Sequence, residues 1–468
     1  MSKTWAVARQ MIAEGIRMKI ALVFLVLLGM VVLGLPFSIA GDASLTGAVQ
    51  SFLSYGLTTA AVLLGVLTIF MSRSLSDELV DRQIFLIVTK PVPRWQFVLG
   101  KWLGMTLLNA AFLSFAGVSI YGMAYYIKHT HPPIDDRYDA RELVREVLVA
   151  RHALQAKLPD FEKPADAEFQ RNLEEGLYAN VPDFDPAAER ARLAKKSEAR
   201  WRVVGPLERR VFEFENVLCD RSAKNEVQIR YKTEVSRYPP DEVFRARWRF
   251  GDPRKETAGY DFPIRHVVGR HHTISVPADA VAKDHTLTAQ FFNHNPFVEE
   301  GEFGSIIEFR KADGVEVLFV VGTFGGNLFR LLVIMLCKLM FLAAIALLAA
   351  TVFSFPVACL TSFTVYVLAG ARSFLEEALD FASGDGATIF TSAKEFLAQS
   401  LALIFDVVGW LIPDFARFDA VETLVNGRNV SLVWVLQAIS ELVLIKTLVA
   451  LALAMILFHR REVAEVSL

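Results

Sequence analysis

Three histidines lie close together in the second half of the chain, His266, His271 and His272. Histidine is the commonest protein ligand of metals, but a site needs several ligands at a suitable spacing. Arg265 and Arg270 flank these histidines, and no carboxylate pattern completes a site. We therefore expect surface or turn histidines. No nucleophile elbow, paired-acid motif or zinc signature stands out, so the sequence assigns no catalytic residue, no metal and no other cofactor.

ATP hydrolysis would need a phosphate loop of the form G-x-x-x-x-G-K-[ST]. The best approximation is Gly100-Lys101, but Trp95 stands in the place of the first glycine and Trp102 in that of the serine or threonine. A phosphate cradle cannot form there. If ATP drives this protein, a partner binds the nucleotide.

Two charges of opposite sign, Lys338 and Glu441, interrupt apolar blocks. Both would lie at a similar depth in a bilayer, roughly 16 Å from its outer face at 1.5 Å per residue. A lone charge near the centre of a bilayer costs at least about 2.5–3.5 kcal/mol and usually finds a partner inside the bundle. We predict that the two pair or share one polar cavity; alternatively, tilt or snorkelling takes each to a surface. Lys446 competes for Glu441, but five residues of α-helix turn it to another face.

The apolar blocks that hold these charges are near the twenty residues that a helix needs to cross a bilayer. They raise the hydrophobic content of the 468 residues to 53%, above the usual content of a soluble domain. We interpret the first block as a span, not a cleaved signal peptide, because it is long and further spans follow. The six predicted spans cover residues 20–40, 52–71, 102–127, 327–353, 356–370 and 432–458.

Lysine and arginine set the predicted orientation, since they concentrate in cytoplasmic segments. They are abundant before the first span, between the second and third, and after the last, whereas residues 41–51 have none. Both termini of this multi-pass protein of the cell (inner) membrane are thus expected in the cytoplasm, with residues 128–326 outside. A further apolar segment, 396–412, contains polar residues and ends at Pro413. We expect it to be an interfacial or re-entrant helix on the outer side.

The outer segment divides into a charged, helix-prone part, 128–207, and a strand-rich part, 208–321. Charges alternate in sign along the first part, as on solvated helix faces. In the second part, runs such as 244–250 alternate apolar and polar residues, and turn signals separate them, which is typical of a β-sandwich. Cys219 is the only cysteine in this domain, so no intrachain disulfide braces it.

The predicted fold is therefore a membrane all-α bundle of six helices with an inserted α+β extracytoplasmic domain. Residues 1–127 hold spans one to three and a cytoplasmic loop, 128–326 form the outer domain, and 327–468 hold spans four to six. The lipid bilayer is one expected partner. A net charge of -2 gives no support for a nucleic-acid partner.

The loop between spans two and three carries the most informative pattern. Ser74 followed by Asp77 is a helix-capping signal. Asp77, Glu78, Asp81 and Arg82 then share one face of a short amphipathic helix, and leucines occupy another. Such a helix is either an ordinary juxtamembrane element or a surface that docks another protein.

This loop resembles that of type-2 ABC exporter permeases, in which an acidic amphipathic helix precedes an apolar stretch and a KPVxR…GK run. The corresponding residues are Lys90, Pro91, Arg94, Gly100 and Lys101. The usual Gly-Thr after the acidic helix is absent. The outer domain is also far larger than the family's usual short loop, which leaves the substrate open.

The C-terminal part is similar to the same family. The segment IPDFARFD, which contains Pro413, resembles an lPnfxrfd element before the last span, and Arg460-Arg461-Glu462 resembles a closing FxRRE. The resemblance covers the membrane part, a little over half of the chain. The order and placement of these motifs together carry the likeness.

The resemblance implies a permease that hydrolyses nothing and so is not an enzyme. Two permease copies or homologues would form an export pathway, and cytoplasmic ABC ATPase subunits would drive it. Closure of the ATPase dimer would move the amphipathic helix and, with it, spans two and three. Glu78, Asp81 and Arg82 would then be coupling residues that contact the ATPase.

Two other functions stay open at this stage. A membrane-anchored receptor or scaffold acting through its outer domain would explain the size of that domain, but not the six spans or the loop. An ABC-type machine that transmits motion to outer partners without solute transport fits the same features as an exporter.

Overall fold

The computed structural model describes residues 3–17, 19–38, 44–80, 93–130, 138–178, 184–222, 225–236, 243–255, 257–294, 305–309, 314–383 and 412–460. The chain divides into a helical unit, Met1–Ala150 with Gly322–Leu468, and a β-rich unit, Arg151–Val321. The division falls inside the predicted domain 128–326, because helix Tyr138–Glu146 buries Leu143 in the core of the helical unit.

In chain order the α-helices are α1 Lys3–Arg17, α2 Ile20–Ser38, α3 Leu45–Met71, α4 Arg73–Val80, α5 Arg94–Thr130, α6 Tyr138–Glu146, α7 Glu162–Glu174, α8 Pro186–Arg202, α9 Phe324–Val352, α10 Phe355–Ser383, α11 Val421–Val425, α12 Leu432–Ala438 and α13 Leu448–Arg460. Two of them, α7 and α8, belong to the β-rich unit. A π-helix, Ile439–Thr447, joins α12 to α13.

Among the described residues, five helices are long and apolar enough to cross a membrane. They are Leu45–Glu78, Arg94–Thr130, Phe324–Val352, Phe355–Phe374 and Leu432–Arg460. The helices α1 and α2 are bent by 65° and would supply a sixth crossing if they form one broken span. Each of the predicted spans two to six thus overlaps one of these helices, whereas the first qualifies only together with α1.

Local sequence explains where α9 and α10 begin. The hydroxyl of Thr323 accepts a hydrogen bond from the N–H of Gly326 and caps α9. Pro356 lies in the first turn of α10, where a missing N–H costs nothing. One apolar core, with large side chains such as Phe52 and Phe341, runs through the helical unit.

The β-rich unit has two sheets around one aromatic core, which includes Trp248 and Phe291. The strands are β1 Val149–Gln155, β2 Val203–Val204, β3 Arg209–Phe214, β4 Glu226–Val235, β5 Val243–Phe250, β6 Tyr260–Val267, β7 His271–Pro277, β8 Leu287–Asn293, β9 Ile307–Phe309 and β10 Val315–Thr323. They pair in the order β1-β10-β4-β9-β2 in one sheet, with β7 also on β4, and in the order β3-β8-β5-β6 in the other.

The alternation predicted at 244–250 is confirmed, because Phe244, Ala246, Trp248 and Phe250 are buried and the residues between them are exposed. The part predicted to be helix-prone, 128–207, also contains two strands, β1 and β2. Val149–Gln155 pairs with β10 as a strand, and its first residues are buried. Charged neighbours concealed this short apolar run.

Candidate functional site

Lys101 is a fully buried residue in the second turn of α5, which begins at Arg94. Its ammonium donates hydrogen bonds to Ser74 Oγ at 2.6 Å and to Glu78 Oε1 at 2.9 Å, both on α4. It donates a third to Glu14 Oε2 on α1 at 3.0 Å. The Ser74 hydroxyl donates to the same Glu14 oxygen. A buried charge is tolerated when it is paired and hydrogen-bonded, and here one ammonium uses all three donors to join three helices.

Two glycines of α5 let α1 approach closely enough for this cluster to form. A Cβ at Gly100 would lie 2.6 Å from Val7 Cβ and 2.8 Å from the carbonyl oxygen of Thr4. A Cβ at Gly104 would lie 2.8 Å from the carbonyl oxygen of Ala8. G-x-x-x-G spacing puts both glycines on one helix face, as in close packing of membrane helices. Any larger residue would push α1, and Glu14 with it, away from Lys101.

Helix α4 has a buried face and an exposed one. Ser74, Leu75 and Glu78 point into the helical unit and are at most 7% exposed. On the other face, Arg73 Nε and Asp77 Oδ2 pair at 3.0 Å, with 49% and 48% of these side chains exposed.

This arrangement corrects the predicted position of Glu78, which sequence analysis placed on the docking surface. The side chain is 6% exposed and serves as partner of Lys101, whose burial demands a carboxylate. Its second oxygen is buried and accepts no hydrogen bond from the residues that the structure describes. Asp81 and Arg82, predicted to contact the ATPase with it, lie outside the described residues.

Glu14 was not predicted as a site residue, although the sequence contains a signal for it. It is the only acidic residue among the first nineteen, which contain four lysines and arginines. An isolated carboxylate in a basic, amphipathic segment suggests a specific partner. Gln10 reinforces the position by donating to Glu14 Oε1 at 3.0 Å and to Glu78 Oε1 at 3.3 Å.

Arg94 fastens the start of α5 to the end of α13. Its Nη1 donates to the carbonyl oxygens of His459 at 2.7 Å and Phe458 at 3.3 Å. Carbonyls in the last turn of a helix have no partner within the helix, so an arginine there caps it. The rings of Phe97 and Phe458 stack beside this contact, 6.0 Å apart. Among the other residues that carry the resemblance to ABC permeases, Arg460 is the last residue of α13. Lys90, Pro91, Arg461 and Glu462 lie outside the residues that the structure describes.

Lys338 is the middle residue of α9 and borders a cavity of about 330 Å³. Its ammonium lies 5.7 Å from the ring centre of Phe415. Phe415 belongs to the segment that follows Pro413, the second element of the family resemblance. Asp419 of the same segment also lines the cavity.

The predicted pair of Lys338 and Glu441 does not form. The Glu441 carboxylate lies 3.7 Å from Lys446 Nζ and 3.6 Å from Arg417 Nη1. The cause is the π-helix Ile439–Thr447, in which residues five apart fall on the same face. Thr447 Oγ1 donates to the carbonyl of Leu442 across the same spacing. In an α-helix, Lys446 would be turned away by about 140°.

The three histidines lie in strands β6 and β7. His271 is exposed, as predicted for a surface histidine, and His266 and His272 are half-buried. The His266 and His272 rings stack at 4.2 Å, and the Tyr231 hydroxyl bonds to His266 Nδ1. Burial, with a contribution from His272, lowers the pKa of His266 to about 4, so it is neutral near pH 7. No group of three His, Cys, Asp or Glu within the described chain has the geometry of a metal site.

Comparison with protein-family models, curated proteins and solved structures finds no match for this chain. Function is therefore inferred from the residues and contacts above.

Proposed function

We propose that this chain is the membrane-spanning permease subunit of an ABC transporter, which exports a substrate using ATP hydrolysed by a separate cytoplasmic subunit. The Lys101 cluster is the observation that supports this proposal most. A helix can pass a partner's movement to the spans only if it is firmly attached to them. Charge-assisted hydrogen bonds are roughly twice as strong as neutral ones, and two of them link Lys101 to carboxylates on α4 and α1.

In this proposal the ATPase binds the exposed face of α4, which carries Arg73 and Asp77. Asp81 and Arg82, which follow α4 in the sequence, also contact the ATPase, as the sequence predicts. Glu78 holds α4 to α5 from behind and is a positioning residue. Because α4 follows α3 after Ser72 alone, a tilt of α4 moves α3 directly. Lys101 and Glu14 extend the movement to α5 and α1.

The orientation follows from the basic residues, with α4 and both termini in the cytoplasm and the β-rich unit outside. A second permease copy or homologue completes the pathway, as the family resemblance implies.

Affinity purification of the tagged full chain from its own cells, in mild detergent, tests this proposal. We expect an ABC ATPase subunit to co-purify, and Asp77→Lys to reduce its recovery at least tenfold, because like charges at an interface cost several kcal/mol. The matched control is Asp261→Lys. Asp261 pairs with Arg249 at 3.0 Å with similar exposure, but in the β-rich unit.

Recovery of the ATPase should be unchanged in the control. If no ABC ATPase accompanies the wild-type chain, the permease proposal fails. Equal recovery of the ATPase with Asp77→Lys and Asp261→Lys would instead show that the exposed face of α4 is not part of the interface.

A further inference from the structure

The cavity beside Lys338 combines apolar walls with one ammonium. Leucine, valine, methionine and phenylalanine side chains from α3, α5, α9, α10 and the segment before α11 form most of its lining. The polar lining residues are Thr58, Lys338, Tyr366 and Asp419. An apolar pocket with a few convergent polar groups is the usual form of a small-molecule site.

Lys338 has no hydrogen bond or ion pair with any residue in the described part of the chain, and its aromatic neighbour Phe415 contributes only a cation–π contact. Asp414 and Asp419 are close enough to interact with it electrostatically. Neither lies within ion-pair distance of its ammonium.

Both carboxylates are engaged in the local turn. Asp414 accepts from the N–H groups of Ala416 and Arg417 and from the hydroxyl of Ser373. Asp419 accepts from the N–H of Val421 at 3.1 Å. These bonds hold the segment in shape, so the three N–H donors of Lys338 remain for something in the cavity.

We propose that this cavity binds an acidic amphiphile, whose anionic group pairs with Lys338 and whose hydrocarbon chain lies along the apolar wall. An ammonium within apolar protein favours an anion, since an unpaired charge there is costly. The volume of about 330 Å³ lies at the lower end for ligand pockets and suits an acid with a medium-length chain. The site stands independently of the permease function, because it needs the chain alone.

Photo-crosslinking of the purified full chain in phosphatidylcholine nanodiscs tests this site. The probe is a ten-carbon fatty acid with a diazirine near the end of its chain. We expect saturable labelling of peptides that line the cavity, competed by decanoate but not by decyltrimethylammonium. The ligand could be an anionic lipid of the bilayer or a free acid, and nanodiscs that contain phosphatidylglycerol distinguish the two. If phosphatidylglycerol reduces probe labelling, the occupant is a lipid headgroup. If labelling is unchanged, the occupant is a free acid.

Three variants separate charge from volume. Lys338→Met keeps the apolar stem and should weaken probe binding at least tenfold. Asp419→Asn should strengthen it several-fold, because a competing negative charge is removed. Gly370→Leu should abolish it with Lys338 intact, because Gly370 lines the cavity and a Cβ there meets nothing within 4 Å.

Lys446→Met is the matched control, since Lys446 is a largely buried lysine that pairs with Glu441 and does not line the cavity. It should leave probe binding unchanged. Equal binding by wild type and Lys338→Met would overturn the proposal, as would weaker binding with Asp419→Asn, which indicates a cation site. If Lys338→Met does not fold, unchanged labelling in Gly370→Leu would overturn it equally.

Discussion

Lys101 and Lys338 both lie in apolar surroundings of the helical unit, and their environments are opposite. Lys101 is fully buried and uses its three donors on Glu14, Ser74 and Glu78. Lys338 borders a cavity and has only the Phe415 ring as a direct partner among the described residues. A buried lysine whose donors are all used joins helices, whereas one with free donors beside a cavity is available to a ligand.

The largest expected effect is on stability, when each of the two lysines is replaced by methionine. Lys101→Met would leave the carboxylates of Glu14 and Glu78 side by side without a cation. Removal of one partner from a buried ion pair typically costs about 3–5 kcal/mol. Lys338→Met removes a charge that has no close protein partner, so stability should change little or rise. Thermal unfolding of both variants in the same detergent measures the difference.

A variant in which the whole cluster is uncharged is the control for that experiment. The triple change Lys101→Met, Glu14→Gln and Glu78→Gln should recover much of the lost stability, because no buried charge then lacks a partner. Similar melting temperatures for Lys101→Met and Lys338→Met would abolish the distinction between the two lysines.

The next largest effect is expected when the close packing of α1 against α5 is disturbed, which tests whether this packing maintains the Lys101 cluster. Gly100→Leu should destabilise the protein by about 1–3 kcal/mol, the usual cost of overpacking, because α1 must move away. Gly122→Leu is the matched control on the same helix, since a Cβ at Gly122 meets nothing within 4 Å. It should be neutral or slightly stabilising, as removal of a helical glycine usually is. Thermal unfolding checks both, and equal losses would mean that the G-x-x-x-G contact has no special role.

Much of this architecture could be predicted from sequence, because hydrophobic blocks and two-residue alternation are local patterns. The short helix at Arg73–Val80 also follows from its amphipathic pattern, but Ser74, predicted to cap it, lies inside the helix and bonds to Glu14 and Lys101 instead. The function of Glu78 could not be predicted, since its partner Lys101 lies on another helix and only tertiary packing shows which face of α4 is buried.

The partner of Glu441 illustrates a second limit. The predicted pairing rests on α-helical periodicity, and no residue pattern within 439–447 indicates a π-helix. A change from 3.6 residues per turn rotates every subsequent side chain, so the assumed faces of that helix were wrong. Lys338 was correctly singled out as a charge within an apolar block, but its cavity is built from segments far apart in the chain.

The smallest expected effect is the loss of the contact between Glu441 and Lys446 in the π-helix. Measuring it also tests whether Lys338 lacks an ionic partner. Glu441 and Lys446 are in contact, so a double-mutant cycle with Glu441→Gln and Lys446→Met should give a coupling energy of at least about 0.5 kcal/mol. The same cycle with Glu441→Gln and Lys338→Met should be additive within about 0.3–0.5 kcal/mol, because the structure pairs neither residue with the other. The free energies come from reversible unfolding in mixed micelles. If the second cycle shows the larger coupling, Lys338 pairs with Glu441 after all, its donors are occupied, and the contrast with Lys101 disappears.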